Sequence, residues 1–393
     1  MRSLIIVIGL FLLLTSSGLT ADWQITKLSN GLKVMILENH QVPQVNISTT
    51  VKVGAKNETP FFHGATHLLE HLILFRGTEE MTGEELGDAM KAHGAYFNGY
   101  TSANWTDFVI SLPKENIDFA LKIHADMLFR SNFPKDMMDA ERQAVLEEIN
   151  ISEDNPSSKA YWSSLKTLYG DHPYALSVLG TKERVANVPR DSVYAYYKRY
   201  YAPNNMTMVI VGDFDAKEAL QKVKENFADF SSGWDAKDNY AKPPKRDEVA
   251  EIRIEKDVNQ AYLMMSTIGP MVESPDQFPL DLMANILGSG ESSRFWKKLQ
   301  NELGLVYSAN YSFYTNKYEG MLFSFATLDP ENLTDTEAAI NEILVDIKKN
   351  GFTEKELRKA KNALKTNHYL SMERGLDKAD NYAQYDSYVG YQF

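Results

Sequence analysis

The chain has 393 residues, 44% of them hydrophobic and 24% charged, an ordinary globular balance with room for two domains and a sizeable core. A formal net charge of −12 argues against a general nucleic-acid binder. There are no cysteines, which excludes disulfides, thiolate metal sites and cysteine nucleophiles, so any metal must take histidine and carboxylate ligands.

Residues 1–21 read as a secretory signal. Arg2 is a basic start, residues 4–14 form an apolar run, and Ser16, Ser17, Gly18 and Ala21 are small residues suited to cleavage after Ala21. The run is short for a membrane span, and the competing reading is an uncleaved N-terminal anchor. The mature chain is expected to be exported, periplasmic or secreted, with no membrane span and no nucleic-acid partner.

Residues 24–28 and 32–37 alternate around Asn30-Gly31 and read as a hairpin, followed by a strand over 45–53. A helix is expected after Pro60 and another from Thr82, where Thr82-Gly-Glu-Glu85 is a capping box. Residues 95–100 and 106–112 read as strands, 117–129 as a helix, and 134–149 as a long helix with Pro134 in its first turn. Residues 231–248, polar and proline-bearing, read as a linker. Beyond it the order of elements repeats: strands within 252–268, a helix over 280–287, a glycine-rich turn, a helix over 295–302, strands around Tyr307 and Met321, and helices over 334–349 and from Thr353. The expected fold class is α+β: two homologous domains, 22–230 and 249–393, each a mostly antiparallel sheet packed with helices, enclosing a cleft.

The chemistry concentrates in His67-Leu68-Leu69-Glu70-His71. On a helix, His67 and His71 project from one face a turn apart, the spacing at which two imidazoles share one Zn²⁺. Glu70, directly before His71, reaches water on that metal without being a ligand; this is the inverted zincin order. The competing reading is a buried amphipathic helix with two core histidines. With 8 histidines in the chain, the pattern arises by chance in roughly one such chain in a hundred. On the 134–149 helix, Glu141 and Glu148 lie seven residues apart and share a face. Glu148 is a candidate third ligand and Glu141 a candidate orienting group behind one. Spacing alone leaves open that both are solvated surface glutamates.

These segments together resemble the pitrilysin/insulinase family of zinc metallopeptidases, in its short bacterial, processing-peptidase-like branch. Gly64-x-x-His-x-x-Glu-His with Gly77-Thr78, Phe97-Asn98-Gly99-Tyr100-Thr101, the Glu141 to Ile149 helix, His172-Pro173-Tyr174 with Gly180, and Val209-Ile-Val-Gly-Asp-Phe214 carry the resemblance. It implies that His67, His71 and Glu148 hold one zinc per chain and that Glu70 is the general base. It implies that Asn98, Gly99 and Tyr100 bind substrate backbone on a strand edge; without it, Asn98-Gly99 reads as a tight turn. The stretch from His71 to Gly77 is one residue longer than the family's usual pattern. The second half, with no His-x-x-Glu-His, is expected to be a copy without a metal site, and to lack a final strand and helix.

In the family that half places an arginine and a tyrosine against the substrate carbonyl. Tyr307 matches the tyrosine, but Gln300 stands seven residues earlier where the arginine is expected. A glutamine donates hydrogen bonds but brings no positive charge to a developing oxyanion. Either Gln300 is tolerated, or Arg294 compensates, or a related subunit supplies the Arg/Tyr pair. The resemblance thus implies an exported zinc endopeptidase acting on short or unfolded peptides, as a homodimer or heterodimer. The alternatives are a non-peptidase structural or assembly subunit of the same family and a zinc transport or storage protein.

Overall fold

A computed structural model describes residues 23–234, 243 and 248–390. The signal segment 1–21 and most of the linker lie outside the described residues. The first half begins with β1 (Gln24–Lys27), β2 (Lys33–Glu38) and β3 (Gln44–Val51), then α1 (Ala65–Phe75) and α2 (Gly83–Ala92). It continues through β4 (Tyr96–Thr101), β5 (Thr106–Pro113), α3 (Ile117–Phe129), α4 (Lys135–Asp154) and α5 (Pro156–Tyr169). It closes with α6 (Lys182–Asn187), α7 (Arg190–Tyr200), β6 (Met206–Gly212) and α8 (Ala216–Phe227). Among the described residues its sheet has six strands in the order β1-β2-β6-β3-β5-β4, antiparallel except for the β2–β6 pair.

The second half has β7 (Ala261–Gly269), α9 (Gln277–Gly288), a π-helical segment (Trp296–Glu302), β8 (Val306–Tyr314) and β9 (Gly320–Leu328). Three helices follow: α10 (Leu333–Asn350), α11 (Glu354–Ser371) and α12 (Gly375–Val389). Among the described residues its sheet has three strands, β7-β9-β8, all antiparallel. Strand, two helical segments, two strands, two helices: this run repeats the run from β3 to α4, and β7-β9-β8 has the pairing order of β3-β5-β4. The expected strand content of 252–268 is confined to β7; residues 251–256 take no regular structure.

The main core lies under the first sheet. Val45, Ile47 and Val51 of β3 point into it with Leu68, Leu69, Leu72 and Ile73 of α1, all fully buried, as period-two and helical spacing require. The opposite face of that sheet is covered from the far end of the chain. Ala379 and Ala383 of α12 pack on Met35, Leu37, Val209 and Val211, and Lys33 pairs with Asp386 at 2.6 Å. In return α5, from the first half, packs Leu165, Leu168 and Tyr169 against Met321 and Phe323 of β9. Each half thus lends a helix to the other's sheet, which couples them. Neither α5 nor α12 is expected from sequence periodicity. Among the described residues no helix is long and apolar enough to cross a membrane.

Candidate metal centre

The histidine pair stands on α1. The apolar side of that helix is committed to the core, so His67 and His71 emerge together on the remaining face, ring centroids 4.7 Å apart. Alongside runs α4, anchored by buried Met138, Val145 and Ile149. The same register turns Glu141 and Glu148 towards α1. His67 Nε2 lies 3.6 Å from one oxygen of Glu148, and His71 Nε2 lies 3.6 Å from the other. One donor atom from each of the three residues falls within 4.8 Å of the other two.

That geometry fits zinc. Ligands at about 2.0–2.1 Å around a tetrahedral ion stand roughly 3.4 Å apart, close to the two 3.6 Å separations between Glu148 and the histidines. Two imidazoles and one carboxylate leave a fourth position open. Glu141 is buried, and its Oε2 lies 2.9 Å from His71 Nδ1. The pairing assigns the His71 proton to Nδ1 and turns the Nε2 lone pair inward. Arg76 grips the other Glu141 oxygen.

The two histidines are shifted in opposite directions. Burial, helped by the charge of His71, pushes His67 down to about 3, so its imidazole is neutral. Burial also acts on His71, but the hydrogen bond to Glu141 and the charges of Glu148, Glu70 and Glu141 outweigh it and raise its value. Glu141 is buried too; the bond from His71 and the Arg76 charge hold it ionised, below its ordinary value.

Glu70 lies on α1 next to His71 and is buried. Thr101 Oγ1 donates to its Oε2 at 2.7 Å. Burial pushes its carboxyl up to about 7, against the pull of Thr101 and His71. Beside it passes β4, the free edge strand of the first sheet. A Cβ at Gly99 would lie 2.9 Å from Glu70 Cγ and 2.8 Å from Leu74 Cδ1, so the absence of a side chain there lets the strand approach the helix. Gly99 is within the strand, not in a turn. Asn98 and Tyr100 project from the other face, where Asn98 Nδ2 donates to the hydroxyls of Tyr100 at 3.2 Å and Tyr96 at 3.4 Å.

Tyr307 lies near the start of β8 in the second half, half exposed, its hydroxyl donating to Asp329 at 2.8 Å. Gln300 sits in the π-helical segment with its Oε1 buried and without a hydrogen-bond partner. Arg294 is engaged by both oxygens of Glu356, at 2.8 and 3.0 Å, and by Asp346 at 3.1 Å. Sequence reasoning missed two residues of the centre, Thr101 and Arg76. Thr101 lies inside the quoted strand motif; its period-two position facing Glu70 is the signal that marks it. Arg76 carries no spacing signal of its own.

The fold and this site together define a class: a two-sheet α+β protein with a histidine–histidine–glutamate centre on paired helices. The model for insulinase (peptidase family M16) matches residues 33–182, and that for the peptidase M16 inactive domain matches residues 187–364. An uncharacterised zinc protease of Bacillus subtilis is 30% identical over 346 residues, covering 88% of this chain and 83% of that protein. Among solved structures, a protease from Helicobacter pylori matches with a TM-score of 0.88 and 25% identity over 94% of this chain and 90% of its own. A periplasmic protease from Escherichia coli matches with a TM-score of 0.75 and 24% identity, over 94% of this chain and 43% of its own length. The chain belongs to peptidase family M16, the insulinase family.

Proposed function

We propose that this chain is an exported zinc-dependent endopeptidase that hydrolyses short or unfolded peptides. The observation that carries this reading is the carboxylate of Glu148, each oxygen 3.6 Å from the Nε2 of a different histidine, with the buried Glu70 on the same helix. His67, His71 and Glu148 would hold one zinc. Zinc, when bound, supplies Lewis acidity, lowering the pKa of water to about 7 and polarising a carbonyl. Glu70 takes the proton from the attacking water and returns it to the leaving amine. Thr101 fixes one oxygen of that carboxylate and leaves the other for proton transfer. The edge of β4 offers its backbone to an extended peptide, so main-chain hydrogen bonds bind substrate whatever its side chains.

In this reading residues 1–21 direct export and are removed. Residues 22–230 form the catalytic domain, 231–248 the linker and 249–393 the metal-free domain facing it. Tyr307 belongs to the carbonyl-binding pair. With Gln300 in the arginine position, the chain acts as a homodimer or with a related subunit that supplies an Arg/Tyr pair.

The test is hydrolysis of a library of unstructured peptides by the chain from Asp22, with and without chelator, beside Glu70→Gln. Cleavage that chelator stops and Glu70→Gln loses, with zinc still bound by the variant, is the expected result. Zinc binding without cleavage, alone or with a related Arg/Tyr-bearing subunit, would overturn the peptidase reading in favour of a structural subunit or a zinc carrier.

A further inference from the structure

The two histidines of the centre are held differently. His71 is fixed through Nδ1 by Glu141, whereas Nδ1 of His67 is buried with no hydrogen-bond partner. No hydrogen bond through Nδ1 fixes the His67 ring, so where it stands depends on the first turn of α1, from which it springs. The leading N–H groups of a helix have no partner within it, and the N-cap here is Gly64, which has no side chain to offer. Glu58, from outside the helix, fills that role. Its Oε2 accepts from Gly64 N at 2.8 Å and its Oε1 from Thr66 N at 2.7 Å. His63 Nδ1 lies 3.1 Å from the same Oε2, and the Glu58 side chain is completely buried. The positive end of the helix dipole favours a carboxylate at this place. Thr66, gripped through its N–H, directly precedes His67.

We propose that Glu58 is the positioning residue for His67: it does for the first histidine, through the helix backbone, what Glu141 does for the second through the ring. The proposal rests on the reading of His67 as a zinc ligand.

The test is zinc affinity of the apoprotein, measured by competition with a chromophoric chelator, for wild type, Glu58→Ala, Glu58→Gln and Asp215→Ala. Asp215 caps α8, accepting from Lys217 N and Glu218 N, and α8 packs on α3 and β2, so its loss reports the effect of removing a helix cap outside the centre. Glu58→Ala is expected to weaken zinc binding by roughly 10–100-fold, the range typical of losing an outer-shell partner. Glu58→Gln keeps one acceptor oxygen and should fall between it and wild type. Asp215→Ala should melt at lower temperature but bind zinc as wild type does. Should Glu58→Ala not fold, Glu58→Gln decides the matter. Zinc bound by Glu58→Gln as tightly as by wild type overturns this proposal alone, as does equal weakening in Asp215→Ala. A wild-type chain that binds no zinc overturns the proposed function and this inference with it.

Discussion

Glu141 Oε2 lies 2.9 Å from His71 Nδ1 while Arg76 holds the other oxygen of the same carboxylate. One buried glutamate thus sets the tautomer of a histidine and neutralises an arginine. Glu141→Ala should lower zinc affinity by roughly 10–100-fold, read by chelator competition. Glu141→Gln, whose carbonyl still accepts from Nδ1, should lose less.

Zinc held by three native donors stabilises only the folded state. With free zinc about 100-fold above its dissociation constant, the gain is roughly 2.7 kcal/mol. Melting in the presence of zinc and then of chelator should show a fall of a few degrees in wild type. The shift should vanish in His67→Ala/His71→Ala, which has lost two of the three ligands.

Gly64 and Gly180 pass backbone to backbone, both at positive φ, +92° and +80°. A Cβ on Gly180 would stand 2.5 Å from Gly64 Cα and 2.7 Å from His63 O, where only backbone can give way. Gly180→Ala should cost at least roughly 1–3 kcal/mol in denaturant unfolding, from the left-handed conformation alone. Because Gly64 opens α1, zinc affinity should fall with it.

Two buried aspartates at the α12 interface give opposite pH dependence. Burial opposes ionisation of Asp386, but the hydrogen bonds from Lys33 and Thr207 and the charges of Lys52 and Lys33 outweigh it, so its value is lowered on folding. Its contribution is full above the unfolded value near 4 and is lost as pH falls through the lower folded value. Asp386→Asn should therefore lose roughly 1–3 kcal/mol at neutral pH, and its deficit against wild type should shrink on acidification. Asp107 is the reverse. Burial and the neighbouring Asp380 carboxyl raise it well above its ordinary value, against hydroxyl hydrogen bonds from Thr50 and Ser48. Its contribution is full below the unfolded value near 4 and is lost as pH rises towards the folded one. Asp107→Asn should gain on wild type with rising pH. Urea unfolding of the three proteins from about pH 2 to 8 checks both signs.

The cluster of His67, His71 and Glu148 was legible because its signals are local. The spacing of His67, Glu70 and His71 needs only one helix, and that of Glu141 and Glu148 only another. The hairpin at Asn30-Gly31 and the capping box at Thr82 are equally local, and both form as read. Where signals depend on partners far along the chain, reading failed. Residues 252–256 carry a strand-like pattern but find no strand partner among the described residues, since strand content depends on pairing as well as on pattern. Residues 375–389 show no clean apolar stripe, because α12 meets the first sheet partly through Asp386 and Asp380.

By itself, then, the sequence determined which side chains share a helix face, and so which residues are able to meet one ion. Only the tertiary structure decided that they do meet, by packing α1 and α4 into one core so that Glu148 faces both imidazoles. It also decided what holds them, Glu141 with Arg76 behind one histidine and Glu58 at the head of the helix. The physical reason is range. Helical periodicity operates over a few residues, whereas burial and hydrogen bonding join groups that the chain separates by tens to hundreds of positions.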